Sequence, residues 1–330
     1  MNVGLKTQIL PVDEAALAAA AHSLADGGLV AFPTETVYGL GADANNPAAI
    51  ARLYQAKGRP SFNPLIAHVF DLEAAQRIGR FDPAALRLAE AFWPGPLTLV
   101  MPKVSDCPVA DLATAGLDTV AIRVPAHKVA RQILRAFGGP VVAPSANLSG
   151  HVSPTNASHV SSDLAGRIDL IIDGGPVEVG VESTIVGCLE APMLLRPGGV
   201  PREQIERVLG HPLGQPTLDA ESDTSQPLAP GMLASHYAPR SRLRLGAENI
   251  EAGEALLAFG PALPPSADSA KAVMNLSARG DLTEAAANLF GYLRALDARC
   301  ARAIAVMPIP EGGLGEAIND RLRRAAMGRE

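Results

Sequence analysis

Residues 1–210 alternate short apolar runs with longer stretches in which apolar positions return every three or four residues, a rhythm that predicts an α/β fold. Residues 13–26 read as a helix closed by Gly27-Gly28, and Leu29-Val30-Ala31-Phe32 as a buried strand ended by Pro33. Three further helices are announced by a capping side chain directly ahead of proline: Asn46-Pro47, Asp82-Pro83 and Ser153-Pro154. Runs bounded by glycine or proline, several of them β-branched, predict strands at 65–69, 97–101, 120–124, 141–143, 168–172, 184–189 and 193–196.

The pattern changes at residue 210. From there to 230 the chain is rich in Pro, Gly, Ser, Thr and Asp with little periodicity, as an exposed linker would be. Beyond it, 243–245, 255–259 and 272–276 read as strands, and 282–303 and 315–326 as helices, a small second α/β domain. The expected division is a first domain over 1–210, a linker over 211–240 and a second domain over 241–330.

Composition narrows the class. Hydrophobic residues make up 48% of the 330 and charged ones 19%, enough apolar surface for folded cores. The net charge of −6 argues against a stable, broad nucleic-acid interface, so any such contact is expected to be local or indirect. Met1-Asn2-Val3-Gly4-Leu5-Lys6 shows no secretory pattern and no apolar stretch nears the ~20 residues that span a bilayer, so a cytoplasmic chain is expected. Cys107, Cys188 and Cys300 have no paired spacing and read as reduced thiols. The seven histidines make no zinc motif, so no metal site built from protein ligands alone is expected.

Two segments carry candidate chemistry. Lys57-Gly58-Arg59-Pro60 follows the 47–56 helix, and Pro60 disfavours helical backbone at Arg59, so an extended segment with Lys57 and Arg59 on one face is expected. Two such cations can flank a polyphosphate, one as a point charge and one as a bidentate fork. The plain alternative is a solvated basic helix end. Val141 to Gly150 delivers Ser145 and Asn147 from a strand into a turn, where their hydroxyl and amide can bond phosphate or ribose oxygens without adding charge, or simply satisfy the turn. No G-x-x-x-x-G-K-[ST] and no G-x-G-x-x-G opens a helix here. A nucleotide site would have to be assembled from separated residues.

Lys57-x-Arg59 and Ser145-x-Asn147 together resemble the paired signature of the YrdC-like threonylcarbamoyl-AMP synthase family. Pro33-Thr34-Glu35-Thr36-Val37-Tyr38-Gly39-Leu40 resembles the family's early P-T-x-T-x-Y-G-L loop. Trp93-Pro94-Gly95-Pro96-Leu97-Thr98, Glu182-Ser183-Thr184 and Leu195-Arg196-Pro197-Gly198 continue the likeness in order. Pro230-Gly231-Met232 and His236-Tyr237-Ala238-Pro239 resemble the linker of its long, two-domain form, although Leu233-Ala234-Ser235 lacks basic residues that some members carry.

The resemblance implies a YrdC-like twisted mixed-sheet catalytic domain with a smaller Rossmann-like α/β domain. It implies synthesis of threonylcarbamoyl-adenylate from L-threonine, bicarbonate and ATP, with release of pyrophosphate, for N6-threonylcarbamoyladenosine modification of tRNA. By resemblance, Lys57, Arg59, Asn63, Thr119, Ser145, Asn147, Ser153, Arg196 and Tyr237 contact ATP, with Lys57, Arg59, Ser145 and Asn147 central to catalysis. Thr36, His68, Arg123 and Ser183 are the implied threonine residues, Arg123 as carboxylate clamp. Mg²⁺ is expected with the triphosphate, and tRNA threonylcarbamoyl-transferase proteins as downstream partners. The 230–239 segment is expected to act as a lid. An RNA-binding module and a carbamoyl-transfer enzyme are the rival readings.

Overall fold

The computed structural model describes residues 5–215, 237–299 and 301–328. Ten strands form the larger sheet: β1 (Gln8–Pro11), β2 (Val30–Pro33), β3 (Tyr38–Asp43), β4 (Ile66–His68), β5 (Leu97–Pro102), β6 (Thr119–Arg123), β7 (Val141–Val142), β8 (Leu170–Asp173), β9 (Thr184–Gly187) and β10 (Met193–Arg196). They lie in the order β1-β8-β2-β3-β7-β4-β6-β5-β9-β10 with parallel and antiparallel neighbours mixed. Between them run α1 (Glu14–Ala25), α2 (Pro47–Lys57), α3 (Leu72–Gln76), α4 (Pro83–Phe92), α5 (Lys128–Phe137) and α6 (Ala157–Leu164), with α7 (Arg202–Leu209) after β10. The second sheet is four-stranded and wholly parallel, β11 (Arg242–Leu245), β14 (Ala303–Val306), β12 (Ala255–Ala258) and β13 (Val273–Asn275) in that spatial order, with α8 (Leu282–Asp297) and α9 (Leu314–Ala326).

Capping chemistry explains the helix starts. Asp13, Asn46 and Asp82 each accept hydrogen bonds from backbone N–H groups of the first turn of α1, α2 and α4. Ser153 does not cap. The expected helix begins later, at Ala157 under an Asn156 cap, because the Pro154 carbonyl is taken by the Tyr38 N–H and the Ser153 hydroxyl is turned inward. Three strands, β1, β3 and β14, had no clear sequence signal. β3 is glycine-broken and reads as loop, yet it is zipped on both sides, by β2 and β7. The 282–303 helix stops at Asp297, and the short apolar run of β14 becomes an inner strand of the second sheet, a distinction that periodicity cannot make over four residues.

Strand alternation sorts the large sheet into two faces. On one, Ala31, Leu40, Ala67, Val120, Ile122 and Val142 pack with Ile50 and Leu53 of α2, Leu88 of α4 and Val160 of α6. The other face is covered in only one part by helices: Val30, Phe32 and Val141 pack under Leu24 of α1 and Ile133 and Leu134 of α5. Further along that face a small cluster of Ile66, Val100, Ala121, Ile185 and Leu195 is all that carries the core on. His68 and Arg123, two residues along β4 and β6 from Ile66 and Ala121, therefore point to the same side. The candidate site is there.

The second domain closes in beside it. Leu289, Phe290 and Leu293 of α8 share one apolar cluster with Val37, Val152, Val181 and Tyr237. Gly180 makes the approach possible: its φ is +78°, and a Cβ there would stand 2.3 Å from the Ala286 carbonyl oxygen. Arg294 of α8 meets Asp163 of α6 at 2.8 Å, and Arg202 of α7 meets Glu316 of α9 at 2.5 Å. Among the described residues no helix is long and apolar enough to cross a membrane. Cys107 and Cys188 are free thiols, the latter buried and pushed up to about 12 by that burial, with Asp82 adding to it, while Cys300 lies outside the described residues.

Candidate active site

A cavity opens on the partly covered face, lined by Thr36, Arg59, His68, Arg123, Ser145, Glu182, Ser183, Arg196 and Tyr237 among others. Its open space is about 50 Å³. Thr36 reaches it on the four-residue connection between β2 and β3, which Thr34 braces by donating its hydroxyl to the Val37 carbonyl at 2.6 Å. Arg123 ends β6 and is 4% exposed; it donates to the Gly95 carbonyl at 3.3 Å, the Thr36 hydroxyl at 2.9 Å and Glu35 Oε1 at 2.6 Å. Among the described residues those three bonds leave two of a guanidinium's five N–H groups uncommitted.

Glu35 is the unforeseen member of this group. Its second oxygen accepts from the backbone N–H groups of Ala126 and His127 at the start of α5, so one buried carboxylate ties the Arg123 fork to a helix end. Burial pushes its pKa up, but the Arg123 charge and the hydrogen bonds more than offset this and hold it below the usual carboxylate range. His68 faces the same charge from the neighbouring strand. Burial, helped by Arg123, pulls its pKa down to about 3, so the ring is neutral. Nδ1 lies 3.1 Å from the Ile66 carbonyl, to which it donates, and the Val141 carbonyl also faces the ring.

Ser183 and Arg196 come from the far end of the sheet. A register shift between Leu194 and Arg196 on β10 re-aims the arginine, which donates to the Ser183 carbonyl at 2.9 Å and its hydroxyl at 3.2 Å. The Ser183 hydroxyl also shares a 2.7 Å bond with Thr98. Glu182 beside it accepts from Ser153 Oγ at 2.6 Å and from Arg321 Nε, on α9, at 2.8 Å. Tyr237 adds a buried ring stacked on Phe290 at 5.5 Å. Of the linker motif, Pro230, Gly231, Met232 and His236 lie outside the described residues.

The expected extended Lys57–Arg59 segment is not what forms. Lys57 is the last residue of α2, and Gly58 turns the chain with φ +59°, so the two cations part company. Arg59 goes to the cavity, where burial pulls its pKa down to about 10, still charged at neutrality. Lys57 is 2% exposed and donates to the Ser145 and Asn147 carbonyls, both at 2.5 Å. Burial and the Arg59 charge hold its pKa well below the lysine range. It braces the turn that presents Ser145.

Ser153, Asn63, Asn147 and Thr119 are likewise absent from the cavity wall. Asn63 and Asn147 are each 1% exposed and keep a buried amide oxygen without a partner among the described residues. Thr119 shares the face of Ala121 and Arg123 but sits four residues from the latter, about 13 Å along the strand. Glu35 and Glu182 both stand inside motifs visible in the sequence. What it could not supply was the through-space arginine that each one meets.

Known proteins resemble the chain over nearly its whole length. The Sua5/YciO/YrdC family model, described as "Telomere recombination", matches residues 22–198, and the model "Threonylcarbamoyl-AMP synthase, C-terminal domain" matches residues 200–327. The chain is 42% identical to the threonylcarbamoyl-AMP synthase of Bacillus subtilis (strain 168), covering 98% of this chain and 96% of that protein. It is also 42% identical to the enzyme of that name from Pyrococcus abyssi, over 96% and 95% of the two chains. The crystal structure of P. abyssi Sua5 complexed with L-threonine superposes with a TM-score of 0.88 at 38% identity, covering 97% of this chain and 98% of that one. E. coli YciO, at 23% identity and a TM-score of 0.54 over 58% of this chain and 96% of that one, shares the fold.

Proposed function

The chain belongs to the Sua5/YrdC family of threonylcarbamoyl-AMP synthases, and from that premise we propose that it joins L-threonine, bicarbonate and ATP into threonylcarbamoyl-adenylate with release of pyrophosphate. The observation that carries the reading is the convergence of Arg59, Arg123 and Arg196 with a neutral imidazole and three hydroxyls on one concave sheet face. A phosphoanhydride and a carboxylate need cations and hydroxyl donors. No covalent protein nucleophile is called for.

The amine of threonine first attacks the carbon of bicarbonate, a C–O bond breaks and water leaves, giving a carbamate. A carbamate oxygen then attacks the α-phosphorus, the bond from that phosphorus to the bridging oxygen breaks, and pyrophosphate leaves with the electron pair. The protein's task is alignment and charge compensation. In this reading Arg123 turns its two uncommitted N–H groups to the threonine carboxylate, with Thr36, Ser183 and His68 around the rest of the amino acid. Arg59 and Arg196 take the phosphates with Ser145, Lys57 keeps that turn in place, and Ser153 acts through Glu182. The orphaned oxygens of Asn63 and Asn147 suit donors from ribose or adenine, and Thr119 extends the same face for a long ligand. Mg²⁺ belongs to the substrate, riding on the triphosphate oxygens. Glu35 and Glu182, the acidic groups beside the cavity, are already committed to arginines.

A nucleoside triphosphate does not fit the open space of about 50 Å³, when small-molecule sites run to ~300 Å³ or more. The reading includes a lid over 211–240 between domains of 1–210 and 241–330, with Tyr237 as its described residue on the cavity wall. The product is a cytoplasmic intermediate for N6-threonylcarbamoyladenosine formation on tRNA, handed to separate transferase proteins that bind the tRNA. The deciding experiment is mass spectrometry of the reaction mixture. Threonylcarbamoyl-AMP and pyrophosphate should form only when ATP, threonine and bicarbonate are all present; salt-sensitive RNA binding without turnover would reverse the assignment.

A further inference from the structure

Arg321 is the largest fully buried side chain in the described protein, and it belongs to the second domain. It reaches across the domain boundary from α9. Its Nε donates to Glu182 Oε2 at 2.8 Å and its Nη1 to the Pro197 carbonyl at 2.8 Å, while its guanidinium carbon stands 5.4 Å from the centre of the Tyr237 ring. Glu182 lines the cavity, between Ser183 and the segment that leads to Arg196. A bare carboxylate at that position faces the wrong way electrically for a site that takes a polyphosphate.

The charges around it can be followed one by one. Glu35 is answered by Arg123 at 2.6 Å. Asp320, the other acid that touches Arg321, at 2.7 Å, is also held by Arg324 at 3.0 Å. Glu182 has Ser153 on Oε1, which is neutral, so among the described residues Arg321 is the one cation hydrogen-bonded to it. Arg196, one of the groups proposed for the nucleotide, also acts on Glu182 from the cavity wall.

We propose that the second domain completes the nucleotide site electrically: docking of α9 inserts Arg321 against Glu182 and cancels a carboxylate on the cavity wall that would otherwise repel the phosphates. Arg321 is a positioning residue, since it acts through Glu182 and the Tyr237 ring. This rests on the ATP-dependent reading of the site. It gives the second domain a task in substrate affinity beyond packing, and it predicts that the need for Arg321 disappears when Glu182 carries no charge.

The test is calorimetric titration of ATP into the full-length protein and its variants, with thermal melting of each. Arg321→Met should weaken ATP binding at least tenfold, and Glu182→Gln combined with Arg321→Met should return it to within about threefold of Glu182→Gln alone. Glu316→Gln, which breaks the α7–α9 ion pair with Arg202, should leave ATP affinity unchanged. Wild-type affinity in Arg321→Met, or a double variant still tenfold weaker than Glu182→Gln, overturns the inference. Should Arg321→Met not fold, the comparison of the double variant with Glu182→Gln decides by the same criterion, since neither holds an unpaired carboxylate at 182. A wild-type protein that binds no ATP overturns the functional reading along with it.

Discussion

The strand side of the cavity and the side carried by Tyr237 are equally buried, yet they are held by different physics. Arg123, His68 and Ser183 stand on or beside strands, and each is fixed by directional hydrogen bonds to its own domain. Tyr237 follows the linker and leans on the second domain, its ring stacked on Phe290 and facing Arg321, with the Ala238 N–H bonded to the Gly150 carbonyl. Directional bonds place charge to a fraction of an ångström, which is what a reacting carboxylate and phosphate need. Stacked surfaces tolerate separation and return, as a wall that admits a nucleotide requires. If the Tyr237 side works as a lid, it is the displaceable half of the cavity and the strand side the rigid half.

The most severe way to break that contrast is Arg123→Ala. It leaves the Glu35 carboxylate buried without its counter-charge, a loss of about 3–5 kcal/mol in stability. Adding Glu35→Gln should return most of the melting temperature while the threonine requirement stays high. Wild-type melting in Arg123→Ala would mean that the strand side is not wired as described, and equal losses of threonine and ATP affinity would remove Arg123 from the role of clamp.

Arg59→Ala should divide the two effects the other way. Arg59 is half-buried and its bonds run to the Asn63 and Pro64 carbonyls, so the fold should survive. Synthesis should fall roughly a hundredfold to a thousandfold, about 2.7–4 kcal/mol of transition-state stabilisation. Product formation at the wild-type rate under saturating ATP and threonine would take the residue out of the site.

The same contrast governs what could be read from the sequence. Residues whose role is local were legible: Asp13, Asn46 and Asp82 cap helices where their spacing says they should. The large sheet's apolar strands were legible too, because burial on both faces writes them as continuous runs. Ser153-Pro154 misled, since its hydroxyl bonds a carboxylate 29 residues away instead of the next turn. Glu35 and Arg321 had no local signal at all. Their partners are 88 and 139 residues distant, and no spacing rule spans that separation. Lys57 and Arg59 were recognisable as a pair, but the left-handed turn at Gly58 that sends them in different directions belongs to the folded chain.

A smaller effect tests the rigid half by titration. The pKa of His68 is about 3 when folded against an ordinary value near 6.5, so the unfolded chain binds the proton first as pH falls. Stability from the neutral ring is fully present above about pH 6.5 and is lost on the way down to pH 3, with roughly 2 kcal/mol gone by pH 5. Glu35, held below its ordinary range, adds loss in the same direction at lower pH. Replacing His68 by Gln should flatten the slope of denaturant-measured stability between pH 5 and 6.5. An unchanged slope would place the acid sensitivity elsewhere.

The mildest test addresses the displaceable half. Tyr237→Ala removes the stack on Phe290, an interaction worth about 0.5–1.5 kcal/mol beyond area burial, and so shifts the balance between closed and open walls by roughly threefold to tenfold. Tyr237 also sits at φ +63°, a left-handed conformation that the surrounding contacts must maintain, so losing the ring removes part of what holds the backbone there. If the wall works as a lid, the cost should appear in ATP affinity and in escape of the adenylate to water, while single-turnover chemistry on bound substrates stays near wild type. Tyr237→Phe keeps the stack and should sit close to wild type in all three measurements. A uniform fall in single-turnover rate with unchanged ATP affinity would instead make Tyr237 part of the rigid half, and the contrast between the two sides would collapse.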